Sequence, residues 1–316
     1  MKKNILTWVA LATVALTSCS NDENQQVSEG AEIRLGAGMM STKAPVNSLS
    51  DLSGVGNKVG IYAVSTPWTA TPLMRNIQTT AIDGTTGAIS WSGVYNYPTD
   101  GSSLTFYGYQ PYAAEGTSGN NFVVASDGTD APGLNFTIDG TQDVMYATPV
   151  TGSMTSVPGK LQFNHVFTQL HFLAVLGTAD AATTVKAIRI KDVNSQAVMD
   201  IADGTLAGWQ TPVGLTVLAD GTFTIPSLPA SITGAEPMMV QPGLSEMLID
   251  VETSLNGTGK TFENIRILPE GDAQFQKGTS YAITLTFNSE ISQTPIQIAA
   301  DVTPWIASGK GNGTVQ

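Results

Sequence analysis

Tyr281-Ala282-Ile283-Thr284-Leu285-Thr286-Phe287 places an apolar side chain on every second residue, with small or hydroxylated residues between. A strand turns successive side chains to opposite faces, so this spacing gathers Tyr281, Ile283, Leu285 and Phe287 on one buried face. The same period recurs along the chain in Ile33, Leu35, Ala37, Met39; in Val59, Ile61, Ala63; and in Leu104, Phe106, Gly108. It returns in Val185 and Ala187 with Ile188 to Ile190, in Met247, Ile249, Val251, in Ile265, Ile267, and in Ile296, Ile298, Ala300, Val302. Between these series stand turn pairs such as Asp83-Gly84, Asp127-Gly128, Asp203-Gly204, Asp220-Gly221 and Asn256-Gly257. Short alternating runs joined by such turns read as half-buried antiparallel strands. After Cys19 no apolar pattern of helical period exceeds two turns, and 32 Gly with 16 Pro interrupt the chain at short intervals. The expected class is therefore all-β, of sandwich type, and helical bundles are excluded. No repeat of fixed period appears, which argues against propellers and solenoids.

The strand pattern breaks at Gly177-Thr178-Ala179-Asp180-Ala181-Ala182-Thr183-Thr184. About 140 residues on either side suit two domains of ordinary size, expected at 31–178 and 179–316.

The chain opens with Lys2 and Lys3, an apolar run from Ile5 to Leu16, and Leu16-Thr17-Ser18-Cys19. The run is shorter than the roughly 20 residues that span a bilayer, so residues 1–18 read as a removable secretory signal. Leu-Thr-Ser-Cys resembles the lipobox of bacterial lipoproteins, which implies lipidation of Cys19 and anchoring in the outer membrane. Ser20-Asn21-Asp22-Glu23 resembles the surface-export signal of some Gram-negative lipoproteins. Residues 19–30 are polar and without pattern, as expected of a tether.

Removal of the signal takes two lysines and no acid, leaving twelve basic against 26 acidic side chains, a formal charge of −14. Such a surface repels phosphate backbones, so nucleic acid is not an expected partner. Cys19 is the sole cysteine; once acylated it leaves no thiol for a disulfide, a metal or a nucleophile.

Site chemistry is sparse. His165 and His171, the two histidines, would share one face of an unbroken strand, the only spacing that hints at a metal. Apolar neighbours and the lack of a third ligand favour hydrogen-bonded histidines at the margin of a core. Asp200, Asp203, Glu270 and Asp272 sit beside turn glycines, where carboxylates usually cap. No nucleophile elbow, zinc-peptidase motif, phosphate loop or dinucleotide fingerprint occurs. The expectation is a non-enzyme without catalytic residues, metal or cofactor. Trp68, Trp91, Tyr95, Tyr97, Trp209 and Trp305 could stack on sugar rings, but aromatics within strand patterns usually pack in cores. Trp68, in the polar loop Ser65-Thr66-Pro67-Trp68-Thr69-Ala70, is expected to be exposed.

An ordered set of short motifs resembles the fimbrillins, lipoprotein-derived pilins of type V pili. It comprises Met40-Ser41-Thr42-Lys43-Ala44, Lys58 to Val64, Leu104 to Tyr112, Asp143 to Ala147, Leu161 to Phe172, and Val302-Thr303-Pro304-Trp305. The resemblance implies two transthyretin-like β-sandwich domains and a cell-surface structural role supporting adhesion. It also implies assembly with other pilin subunits after a processing protease releases the lipid and the first strand. Carried onto this chain, the removable strand holds Ile33, Leu35, Ala37 and Met39 inward, and the cut falls at Lys43-Ala44, where the family usually has Arg. Arg34 is the second candidate, though it lies inside the strand pattern. The location expected is the outer membrane, surface-exposed, then the fimbrium. A reading from another class is a monomeric glycan-binding lipoprotein of the outer membrane.

Overall fold

The computed structural model describes residues 30–39, 48–52, 58–65, 68, 71–116, 121–125, 131–179, 181–269 and 271–288, and the backbone of 299–304. The elements of the first half are β1 (Ala37–Met39), α1 (Leu49–Leu52), β2 (Gly60–Val64), β3 (Met74–Ile82), β4 (Ile89–Trp91), β5 (Leu104–Gln110), β6 (Phe122–Ala125), β7 (Gly133–Thr137), β8 (Met145–Thr148), β9 (Val150–Gly152) and β10 (Leu161–His165). Then follow β11 (Thr168–Leu176), β12 (Thr184–Asp200), β13 (Leu206–Leu218), β14 (Phe223–Thr224), β15 (Ala230–Ser231), β16 (Met238–Val240), β17 (Met247–Leu255), β18 (Thr258–Ile267), β19 (Ser280–Phe287) and β20 (Ala299–Pro304). The all-β expectation holds.

The strands form three sheets. The first runs β1-β10-β8-β5-β2-β3-β4, with β9 also on β5; the second runs β15-β11-β19-β20, with β16 also on β11. The third runs β18-β17-β12-β7-β6, and β13 and β14 also pair with β12. Between named strands pairing is antiparallel except for β1 with β10 and β11 with β19. Asn256 and Gly257 close the β17–β18 hairpin at φ of 49° and 82°. Positive φ at both central residues fits the right-handed twist of the strands and is cheap for this pair.

Three cores result. Ile33, Ile61, Phe106 and Phe163 are buried on the inner side of the first sheet. Phe172, Ile190, Ile249 and Ile283 fill the space between the second and third sheets. The outer side of the first sheet supplies Tyr62 and Tyr109 to a third core with Phe136, Phe167 and Met199. Strand β2 is buried at every residue because both of its faces are used. Strand β12 serves two cores: Ile188, Ile190 and Val193 enter one, Ala197 and Met199 the other. Register shifts between Ile190 and Val193 and between Gln196 and Val198 bend it from one to the other.

The break expected near Gly177–Thr184 is a gap between β11 and β12, but hydrogen bonding does not divide there. Strand β11 already belongs to the second sheet with β15, β16 and β19, and β7 reaches across to β12. First and second sheets part instead between β10 and β11, at Val166 and Phe167.

Candidate functional site

Residues 31–39 lie in a slot in the first sheet and are held from both flanks. On one flank, β1 pairs in parallel with β10, matching Ala37 to Leu161 and Met39 to Phe163, and Leu161 N–H donates to the Gly36 carbonyl at 2.8 Å. On the other flank, the stretch from Gly87 to Tyr97 runs antiparallel. Ile33 N–H donates to the Tyr95 carbonyl at 2.8 Å and Ala37 N–H to that of Gly87 at 2.7 Å. Tyr97 N–H donates in turn to the Ala31 carbonyl at 2.9 Å, and Ile89 N–H to that of Leu35 at 3.0 Å. Isolated bridges join Glu32 to Asn96 and Gly36 to Ala88. Without the segment, β10 and the 87–97 stretch would both present unpaired edges.

Side chains alternate as the sequence anticipates. Ile33, Leu35 and Ala37 are buried and Met39 half-buried, whereas Glu32 and Arg34 point outward as an ion pair at 2.9 Å. Burying Ile33 and Leu35 and part of Met39 contributes roughly 4–7 kcal/mol, at about 1.5–3 kcal/mol for each fully buried large apolar side chain. The walls are shaped for a close backbone. Gly87 has φ of 79°, and a Cβ there would run into the Ala37 carbonyl. Lys160, just before β10, crosses over Gly36, and its ammonium donates to the Thr86 carbonyl at 2.8 Å, linking the two walls above the segment.

The turn carrying Thr86 and Gly87 is pinned by Asp83. Its Oδ1 accepts from the N–H groups of Thr86 at 2.6 Å and Thr85 at 2.9 Å and from the Thr86 hydroxyl at 2.9 Å. These bonds, the Thr86 N–H foremost, hold the Asp83 carboxyl below the usual carboxylate range.

The histidines are not brought together. Strand β10 ends at His165 and β11 starts at Thr168 in another sheet, so the unbroken strand assumed for His165 and His171 does not exist. His165 Nδ1 lies 2.8 Å from Asp143 Oδ2, both side chains nearly inaccessible. The contact ties the end of β10 to the stretch just before β8. Among the described residues no group of three His, Cys, Asp or Glu side chains could hold a metal ion. The turn acids cap: Asp200 accepts from Ala202 N–H at 2.8 Å and Asp203 from Thr205 N–H at 2.7 Å, while Asp272 accepts from the Tyr281 hydroxyl at 3.0 Å.

Trp68 is not the exposed residue the loop suggested. It is half-buried, with its ring 5.6 Å from Tyr62 and 4.8 Å from Tyr107. Tyr97 packs on Phe106 beneath the slot, Trp209 on Phe136, and Trp91 stands 6.5 Å from Tyr95. Cys19, Lys43, Ala44, Glu270 and Trp305 lie outside the described residues. No helix among the described residues is long and apolar enough to cross a membrane. Sequence reasoning identified the inward residues of the slot but missed its walls, Gly87, Tyr95 and Lys160. The one local signal was the Asp83-Gly84 turn, which says nothing about its distant partner.

A family model described as fimbrillin-like matches residues 42–305. Among solved structures, a fimbrial protein from Bacteroides vulgatus superposes with a TM-score of 0.53 at 14% identity, over 86% of this chain and 99% of that one. A protein provisionally described as a cell adhesion protein, from Bacteroides uniformis, gives 0.58 at 17% identity over 87% and 99%. Another of that description, from Bacteroides ovatus, gives 0.55 at 15% over 89% and 99%. At such identities the likeness concerns the fold. No curated protein matches the sequence.

Proposed function

The chain belongs to the fimbrillin-like family, and from that premise we propose that it is a structural subunit of a cell-surface pilus that supports adhesion and has no catalytic role. The observation that carries the proposal furthest is the slot holding residues 31–39. An apolar furrow with hydrogen-bonding edges on both sides accepts any extended segment of matching alternation, by the logic of strand addition to a sheet. In this reading, export as a lipoprotein places Cys19 in the outer membrane. A protease then cuts at Lys43-Ala44, the lipid and the first strand leave, and a strand from another subunit takes the slot. Arg34 is the poorer target, since its neighbours Ile33 and Leu35 are buried. The two transthyretin-like sandwiches implied by the resemblance belong to the same proposal.

N-terminal sequencing of material sheared from cells tests it. Polymer whose subunits begin at or near Ala44 is the expected result; surface protein beginning only at Cys19 and running as a monomer overturns strand exchange. Cys19→Ala should abolish labelled fatty-acid incorporation and surface display, and incorporation by that variant would remove the lipoprotein step.

A further inference from the structure

The solvent face of the third sheet carries a row of uncharged polar side chains that neither the slot nor the cores use. Pairing sets Thr137 opposite Gln196 and Gln196 opposite Gln210, while the Thr137 N–H donates to the Asn121 carbonyl at 2.8 Å. Neighbouring strands are about 4.8 Å apart, so this row crosses roughly 14 Å of sheet. One step along, Val123 stands opposite Asn135 and Asn135 opposite Val198. The two rows line a depression of about 200 Å³ that has no charged side chain among the described residues of its wall, in a chain with 26 acidic side chains.

A solvated sheet face is polar by default. Two features set this one apart. Strand β12 shifts register between Gln196 and Val198, within the depression. Thr211 beside it sits at φ of 62°, a costly conformation for a β-branched residue. From there its hydroxyl donates to Gln196 Oε1 at 2.8 Å, and its carbonyl accepts from the Ser195 hydroxyl at 3.0 Å. With its oxygen engaged, the Gln196 carboxamide has its two N–H donors left for a ligand.

We propose that this depression is a subsite for a neutral saccharide, one pyranose ring in size. Carboxamides both donate and accept, as sugar hydroxyls do, and Val123 and Val198 offer an apolar strip to the C–H face of a ring. Acidic or basic ligands meet no counter-charge among the described residues of the wall, and the volume lies below the roughly 300 Å³ at which pockets for drug-sized ligands begin. The proposal does not depend on whether the first strand is exchanged.

The test is titration of the full chain with lactose, N-acetyllactosamine, mannobiose and cellobiose, with sialyllactose as the anionic comparator, followed by NMR of side-chain amide signals. At least one neutral disaccharide should shift the Asn135 and Gln196 amides by about 10 mM, the weak end of the affinity scale. Gln196→Leu and Asn135→Leu should each weaken binding about fivefold with melting unchanged, and Thr211→Gly should weaken it less by freeing Gln196. No shift with any neutral sugar, unchanged binding by both leucine variants, or preference for sialyllactose would each overturn the proposal.

Discussion

Strand β19 and the segment from Ala31 to Met39 follow the same alternation, and both bury their apolar side chains except that Met39 is only half-buried, yet they are held differently. Strand β19 is paired over eight residues with β11 and over six with β20. The first segment has a ladder of three residues on one flank and two isolated bridges on the other. Its hold is mainly the fit of Ile33, Leu35 and Ala37 between walls that other parts of the chain provide. Side-chain burial can thus be extensive where ladder pairing is short, and such elements lie at the low end of local stability.

The largest effect that would sharpen this contrast is loss of the segment. Lys-directed proteolysis at Lys43 followed by removal of the released peptide should cost roughly 4–7 kcal/mol, much of the stability of an ordinary domain. The cut chain should then oligomerise or bind a synthetic peptide of residues 31–39, whereas Lys43→Ala should stay monomeric under the same treatment. A cut chain that melts like the parent and ignores the peptide would erase the distinction.

Next come matched truncations. Ile283→Ala should lower global stability by about 2–5 kcal/mol, with one cooperative transition. Leu35→Ala should show its cost first as faster hydrogen exchange at Ile33 and Ala37, before the rest of the fold opens. If both variants lose global stability alike and leave local exchange unchanged, the segment is no looser than β19.

A smaller loss is expected at the pair near the foot of the slot. Asp143→Asn replaces the carboxyl partner of His165 by a carboxamide, and should cost about 1–3 kcal/mol in denaturant unfolding. A change within error would show that the pair does not order β10.

The smallest effect is the pH response of one wall. The Asp83 carboxyl titrates below its ordinary value, so its hold on the turn is fully present above that ordinary value and is lost as pH falls through the lowered one. Exchange at Ala37, measured relative to β19 amides, should therefore stay constant from neutral pH to about 5 and rise only below the ordinary carboxylate range near 4. Asp83→Asn should remove the dependence; a rise in that variant at the same pH would assign it to another group.

Much of the fold was legible in the sequence because alternation is a local property with a period of two. Tyr281 to Phe287 and Leu104 to Gly108 became strands facing the cores their pattern implied, while Val59 to Ala63 leads into a strand buried on both faces rather than one. Strands β3 and β13 escaped notice for a physical reason. Asn76 at φ of 48° kinks β3, and β13 is mostly exposed along shifted registers, so neither shows clean alternation.

What the sequence by itself determined is the all-β class, the inward series Ile33, Leu35 and Ala37, the capping turns and the absence of a catalytic motif. Tertiary structure alone decided that the first segment lies parallel to β10 and antiparallel to the stretch from Gly87 to Tyr97. It decided as well that Lys160 crosses over Gly36, that His165 pairs with Asp143 while His171 enters another sheet, and that Trp68 is packed against Tyr107. Periodicity fixes which face of a strand is buried. Which edges meet is fixed by the packing of three cores at once, and no local stretch of the chain encodes that.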